Sequence, residues 1–287
     1  MPELPEVETV RRQLHDRIAG KRIRGISIFK TGREVPHGEK FATAVKGRKV
    51  AGVERRAKVL IFRFDDGNAV LGHLKMTGRF VFVDSMSAPL NPPITGGKRK
   101  RFAFVPGKHD RMMFVFDSGD HLVWSDVRMF GYLRYVDAKE AERQLSHYGP
   151  EPLEATAAEL AEGLKRKSFR SIKATLLDQT VIAGIGNIYA DEALFRAGIR
   201  PGRRTRSLKD EERLRLAKEI KAVLKASLAR KGTSANDYVD TTGEKGTFKN
   251  FLKVYGRGGK PCRVCETPIT KTVVAQRGTH FCKQCQS

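Results

Sequence analysis

All four cysteines of the 287-residue chain fall between Cys262 and Cys285, leaving everything before them free of thiols. They are spaced as Cys262-x2-Cys265 and Cys282-x2-Cys285, sixteen residues apart. Each CxxC can form a tight knuckle that offers two sulfurs to one ion, and two such pairs at this distance are the spacing of a four-thiolate zinc site. Four protein ligands leave no position for a water, so the expected Zn²⁺ is a single structural ion. Two disulfides or a redox CxxC are the competing readings. A cluster this local suits a reducing compartment better than a secreted disulfide framework. The C-terminal end is therefore expected to be a small zinc ribbon, with VVAQRGTHF as the tip of a β-hairpin.

Upstream, the texture changes twice. After an amphipathic helix that begins near Pro5, the region from about Ile23 to Tyr135 consists of short runs such as KVLIFRF, AVLGHLKM, RMMFVFD and HLVWS. β-Branched or aromatic runs broken by Gly, Asp and Asn predict an antiparallel sandwich or barrel. The Pro-, Gly- and base-rich segment 85–108 reads as a long surface loop. GPEPLEA (149–155) reads as a linker, and the apolar spacing then becomes helical up to about Lys231. The expected class is α+β and multidomain: a β-sandwich with a leading helix over 1–137, a helical domain over 138–234, and a loop plus zinc finger over 235–287.

Charge narrows the partner. Lys and Arg number 55 against 32 Asp and Glu, a net +23. The excess is not a tail, because residues 1–150 carry 28 basic and 17 acidic side chains and residues 151–287 carry 27 and 15. Such a surplus repels itself in a compact state unless a polyanion offsets it, and nucleic acid is the leading candidate. No apolar run reaches the roughly 20 residues of a membrane span, and MPELPEVETV is not a signal sequence. A soluble, cytoplasmic protein is expected.

The first residues are unusual, since two prolines in five forbid an immediate helix. Removing Met1 would expose a secondary amine on Pro2. An α-amino group has a pKa near 7.7–8.0, so about a tenth is neutral and nucleophilic at pH 7. A secondary amine that condenses with a sugar aldehyde gives a charged iminium, a better electron sink than a neutral imine.

MPELPEVETVRR, ERRAKVL, HLKMTGRF, DVRMFG, LLDQTVIAGIGNIYADEALFRAGI, YGRGGKPC and AQRGTHFCKQC resemble, in the same order, the formamidopyrimidine-DNA glycosylase family. The resemblance covers nearly the whole chain, and PELPEVE and GIGNIY are its most specific parts. It implies a monomeric, bacterial-type, nucleoid-associated repair enzyme. Such an enzyme excises oxidised purines (8-oxoguanine, formamidopyrimidines) from double-stranded DNA, then cleaves the abasic strand by β- and δ-elimination. On this resemblance the middle domain holds a helix–two-turn–helix, Pro2 is the nucleophile on C1′, Glu3 the proton donor near the sugar, and Glu6 a supporting carboxylate. Lys58 lies near the damaged nucleotide, and Arg277 on the zinc hairpin contacts the flanking phosphates. His73, Met76, His109, Arg128, Phe130, Arg170, Lys173, Asn187 and Tyr255 are the implied DNA contacts. The GIGN turn is expected to grip phosphate with the N–H groups of a helix N-terminus.

Two departures stand out. The 85–108 segment is longer and more basic than the family pattern, and Met129 replaces the basic residue often found between the arginine and phenylalanine. Two other functions are compatible with parts of the sequence. An endonuclease VIII-like enzyme would prefer oxidised pyrimidines, but such enzymes usually open differently. A non-catalytic zinc-dependent binder of damaged DNA would have no use for an N-terminal proline.

Overall fold

The computed structural model describes residues 1–30, 38–85, 106–165, 169–235 and 237–287. Helix α1 (Leu4–Ile18) starts at the double-proline motif, where Pro5 forfeits an N–H that a first turn does not need. Its apolar face, Leu4, Val7, Val10, Leu14 and Ile18, follows the helical repeat and is buried throughout. That face joins two cores. Leu4 packs among the helices of the middle domain, whereas Val7 and the residues after it pack into the β-sandwich.

Then come β1 (Ile23–Ile28), α2 (Gly38–Val45), β2 (Val50–Arg56), β3 (Val59–Phe64) and β4 (Ala69–His73). β5 (Gly78–Val83), β6 (Asp110–Phe116), β7 (His121–Asp126) and β8 (Tyr132–Val136) complete the domain. Two four-stranded antiparallel sheets, β1-β6-β7-β5 and β2-β3-β4-β8, face each other over Phe62, Phe80, Phe114, Phe116 and Trp124. Phe80 sits 4.8 Å from Trp124 and 5.4 Å from Phe62, ring centre to ring centre. Helix α2 departs from the strand-only expectation for this region. It buries Phe41 and Val45 one turn apart, in an element too short for its periodicity to stand out from neighbouring strands. Most of the basic 85–108 segment (86–105) lies outside the described residues.

The middle domain comprises α3 (Ala138–Leu145), α4 (Ala157–Lys165), α5 (Ile172–Leu177), α6 (Asn187–Arg196) and α7 (Asp210–Leu228). Leu160, Leu176, Tyr189, Leu194, Leu216, Ile220 and Leu224 form its core together with Leu4. The C-terminal hairpin pairs β9 (Thr270–Val274) with β10 (Arg277–Phe281) through a tip, Ala275–Gln276, in which both residues have positive φ. That is the twist-matched geometry of a two-residue hairpin turn. No helix among the described residues is long and apolar enough to cross a membrane.

Candidate active site

The start of the chain is locked under the middle domain. The Glu3 side chain, almost fully buried, accepts hydrogen bonds from Gly186 N (2.9 Å), Ile188 N (2.9 Å) and Tyr189 N (3.3 Å). A carboxylate at a helix N-terminus satisfies N–H groups that the helix cannot and sits at the positive end of its dipole. This corrects the sequence expectation for GIGN: these three N–H groups hold Glu3 and are not free for phosphate. Gly186 is required here, because a Cβ at that position would come within 2.3 Å of the Glu3 carboxyl carbon.

Glu6 lies one turn deeper. It accepts from Glu3 N (2.7 Å), Thr233 N (2.6 Å) and Tyr189 Oη (2.5 Å). Burial, and then the nearby Glu3 charge, push its pKa up to about 7. Pro2 is buried beside this pair, and Met1 projects into the adjoining cleft.

Lys58 follows Ala57 at the tip of the β2–β3 hairpin, where Ala57 has φ +52°. Its ammonium donates to Ile185 O at 2.7 Å, and burial pulls its pKa down against the opposing pull of Glu3. The tip is clamped from outside. Glu151 accepts from Ala57 N (2.6 Å), Arg55 Nη1 (2.7 Å) and Arg56 Nη1 (3.2 Å), and Arg55 also reaches Glu8 at 3.0 Å. Arg55 and Arg56 are thus paired inside the molecule and are not a solvated strand face. The linker reading of 149–155 missed this role of Glu151.

Strand register sets the next residue. Val59 pairs with His73 and His73 with Tyr132, so Lys58, His73 and the start of β8 share one end of the sheet. His73 Nδ1 accepts from Lys75 N at 2.9 Å, and burial with the Lys75 and Lys58 charges pushes its pKa down to about 3. The ring is therefore neutral at pH 7 and carries its proton on Nε2.

Above this floor stands an exposed rim. Met76, Arg128 and Phe130 come together as expected, with the Arg128 guanidinium 4.8 Å from the Phe130 ring centre and 3.1 Å from Met76 Sδ. Met76 is 40% exposed and Phe130 54%. The buried Asp126 shapes the loop by accepting from Thr77 Oγ1 (2.5 Å), Arg128 N (3.1 Å) and Gly131 N (2.7 Å). Gly131 lets the loop leave the sheet, since a Cβ there would strike Trp124 at 2.7 Å. Met129, also exposed, adopts φ +55°.

The zinc hairpin closes the other side. Arg277, exposed at the start of β10, lines the same cleft as Lys58 and His73. Asn187 also lines the cleft, and its Nδ2 donates to Gly278 O at 2.9 Å. Lys173 requires a correction. It is fully buried, and its three donors go to Asp191 Oδ1 (2.6 Å), Thr279 Oγ1 (2.7 Å) and Gly278 O (3.1 Å). A direct DNA contact is closed to it; it ties the hairpin that carries Arg277 to α5 and α6. Asp191 also accepts from His280 N, and Glu192 accepts from Lys253 N, Val254 N and Tyr255 N, so two acids of YADEA dock the whole C-terminal unit. Tyr255 is half-buried, packed edge-on against His280. His109 is half-buried at the start of β6, and Arg170 stands at the far end of α5, paired with Asp178 at 3.1 Å.

The four cysteine sulfurs all lie within 4.8 Å of one another, with none in a disulfide. Tetrahedral zinc–thiolate bonds of about 2.3 Å would space the sulfurs about 3.8 Å apart, so the cluster fits that ion.

Met1, Lys58, His73, Lys75, Tyr148, Gln179, Asn187 and Arg277 thus line a cleft of about 210 Å³. Lys75, Tyr148 and Gln179 were not singled out from the sequence. Gln179 lies within the quoted LLDQ motif and donates to Ile185 O at 2.8 Å, the carbonyl that Lys58 also uses. The cleft combines cations for an anionic ligand, a fixed carboxylate and a chain terminus at one point.

A β-sandwich, a helical domain and a four-cysteine ribbon converging on the start of the chain define one class of protein. The chain matches models for the formamidopyrimidine-DNA glycosylase N-terminal domain (residues 1–133), the formamidopyrimidine-DNA glycosylase H2TH domain (148–239) and the zinc finger found in FPG and IleRS (259–287). It is 45% identical over 292 residues to the formamidopyrimidine-DNA glycosylase of Geobacillus kaustophilus and 44% over 291 residues to that of Desulfitobacterium hafniense, with 100% of each chain covered. Among solved structures, a complex of MutM with DNA containing carbocyclic 8-oxo-G superposes with a TM-score of 0.85 at 34% identity, covering 100% of both chains. Lactococcus lactis Fpg bound to abasic-site DNA does so with the same score and identity over 99% of each chain. The chain belongs to the formamidopyrimidine-DNA glycosylase family.

Proposed function

We propose that this protein excises oxidised purines from duplex DNA and then cleaves the abasic strand, with the Pro2 amine as nucleophile. The reading rests on one arrangement: Pro2 is buried between Met1, which lines the cleft, and Glu3, which the α6 terminus holds fixed. Loss of Met1 would free the amine beside the cleft.

The amine attacks C1′ as the C1′–base bond breaks, and the base leaves with the electron pair and acquires a proton. Glu3, next to Pro2 in the chain, would serve proton transfer to O4′ as the ring opens to the iminium. Loss of a C2′ proton then expels the 3′ phosphate, and a second elimination expels the 5′ phosphate, with Arg277 and Lys58 beside the departing anions. A base must leave the stack before this chemistry can begin. Met76 and Phe130 suit the vacated space, and Arg128 can donate to the orphaned partner base. Cys262, Cys265, Cys282 and Cys285 would hold one structural zinc, which keeps the Arg277 hairpin folded. The relatives are bacterial, and the protein would act at the nucleoid.

Borohydride trapping on a duplex with 8-oxoguanine opposite cytosine tests the reading. A covalent adduct is expected from protein shown by mass spectrometry to lack Met1, and none from Pro2→Gly or from a chain with an N-terminal tag. Zinc-loaded, processed protein that gives no adduct there but traps thymine glycol would replace the purine assignment with a pyrimidine one.

A further inference from the structure

The Arg128–Phe130 pair has a counterpart elsewhere. Phe169, just before α5, is 70% exposed, and the Arg206 guanidinium lies over its ring at 5.0 Å from the centre. Arg204 donates to the Phe169 carbonyl at 3.4 Å, and an antiparallel bridge between Ser171 and Arg204 holds the two segments together. The neighbouring arginines are neutralised: Arg170 pairs with Asp178 and Arg203 with Glu212. Arg200 donates to the carbonyls of Lys283 and Gln286. Arg204 and Arg206 are exposed and have no carboxylate partner among the described residues. A largely exposed aromatic ring is therefore presented to solvent beside two guanidinium groups that lack carboxylate partners. The fold does not need this arrangement, since the Phe169 ring lies outside every core cluster.

We propose that Phe169, Arg204 and Arg206 form an accessory nucleic-acid site that stacks one unpaired base and holds its phosphates. Any base offers a π-face, so such a platform tolerates sequence, and free guanidiniums supply the backbone contacts. The platform and the cleft stand at opposite ends of α5. Leu177 and the adjacent Gln179 line the cleft, while Phe169 and Arg170 precede the other end of this six-residue helix. Six helical residues span about 9 Å. At about 3.4 Å per nucleotide, the platform lies about three nucleotides from the cleft along a strand. The duplex readout is supplied by the cleft and rim, so the platform acts where flanking DNA is frayed or mispaired. This inference rests on the DNA-repair reading for the position of the strand, but not for the chemistry of the platform.

Fluorescence anisotropy with two lesion duplexes separates the two. One is fully paired; the other carries four thymine–thymine mismatches beginning three pairs from the lesion, on either flank. The wild-type protein is expected to bind the mismatched duplex on one flank about 5- to 100-fold more tightly than the paired one, the range for one stacked base. Phe169→Ala should abolish that ratio and leave excision from the paired duplex unchanged, while Phe169→Trp should keep the ratio. Arg204→Ala with Arg206→Ala should lower the salt slope on the mismatched duplex by about 1.5, from the single-strand contribution of two phosphates. A wild-type ratio near one, or a ratio that survives Phe169→Ala, would overturn the platform. Failure to bind or cut the paired lesion duplex would instead count against the repair reading, because the mismatch ratio can still be read on a lesion-free duplex.

Discussion

The floor and the rim of the cleft are built on opposite principles. On the floor, Glu3, Glu6 and Lys58 are each less than a tenth exposed and bonded to protein donors or acceptors. On the rim, Met76, Arg128 and Phe130 are exposed, and their side chains touch chiefly each other. A floor that moves protons and forms bonds must be held close to its reacting geometry before substrate arrives. A rim that enters a DNA helix cannot be satisfied beforehand, because the DNA completes it. The floor should therefore lose both stability and turnover when cut, and the rim only affinity.

The largest expected break is at the metal. Chelation, or Cys282→Ser, removes the ion that closes the ribbon, and such sites contribute about 10–16 kcal/mol to the folding of small zinc units. Arg277 and the Lys173 acceptors Gly278 and Thr279 share that hairpin. Strand cleavage should fall by more than about 10³-fold while the sandwich, with its own aromatic core, keeps its near-ultraviolet circular dichroism. Near-wild-type cleavage by protein shown to be zinc-free would refute the dependence of Arg277 on the metal.

Glu151 is next. Glu151→Ala leaves Arg55 partly unpaired and Ala57 N without its acceptor in a buried setting, a change that costs about 3–5 kcal/mol in such pairs. Because Ala57 sits next to Lys58, turnover should fall about tenfold or more while the dissociation constant for lesion DNA stays within about threefold. Glu151→Gln keeps one acceptor oxygen and should recover part of the turnover. Equal losses in binding and turnover would mean that the clamp serves the fold alone. The rim should give the mirror image. Phe130→Ala and Met76→Ala should each weaken lesion binding by about 5- to 30-fold, yet shift unfolding by no more than about 0.5 kcal/mol, as expected of exposed sites.

This contrast also separates what could be read from the sequence from what could not. The ribbon was legible because its ligands are close in sequence, and the hairpins because their period and turns are local. The rim residues were recognisable from short motifs. The Glu3 bonds to α6, by contrast, span 183 to 186 residues, and the Ala57–Glu151 bond spans 94. No periodicity reports a partner at that distance. Lys173 read as a DNA contact until its burial against Asp191 was visible, and α2 was lost among neighbouring strands.

The sharpest test of the floor is the pH dependence that Glu6 imparts. Its folded pKa of about 7 lies above the ordinary value of 4.5, so between those limits the folded state holds more proton than the unfolded one. Stability from this group is therefore fully present below about pH 4.5 and is lost as pH rises through 7. The integrated loss is of the order of 3 kcal/mol. Glu6→Gln cannot titrate, so its unfolding free energy should lack that decline. The gap between wild type and variant, measured in urea from pH 5 to pH 8, should shift in favour of the variant as pH rises. Parallel curves would mean that Glu6 is ionised throughout, with Glu3 N, Thr233 N and the Tyr189 hydroxyl offsetting its burial. The floor would then hold a second fixed charge beneath Pro2 rather than a group able to give up a proton near neutrality.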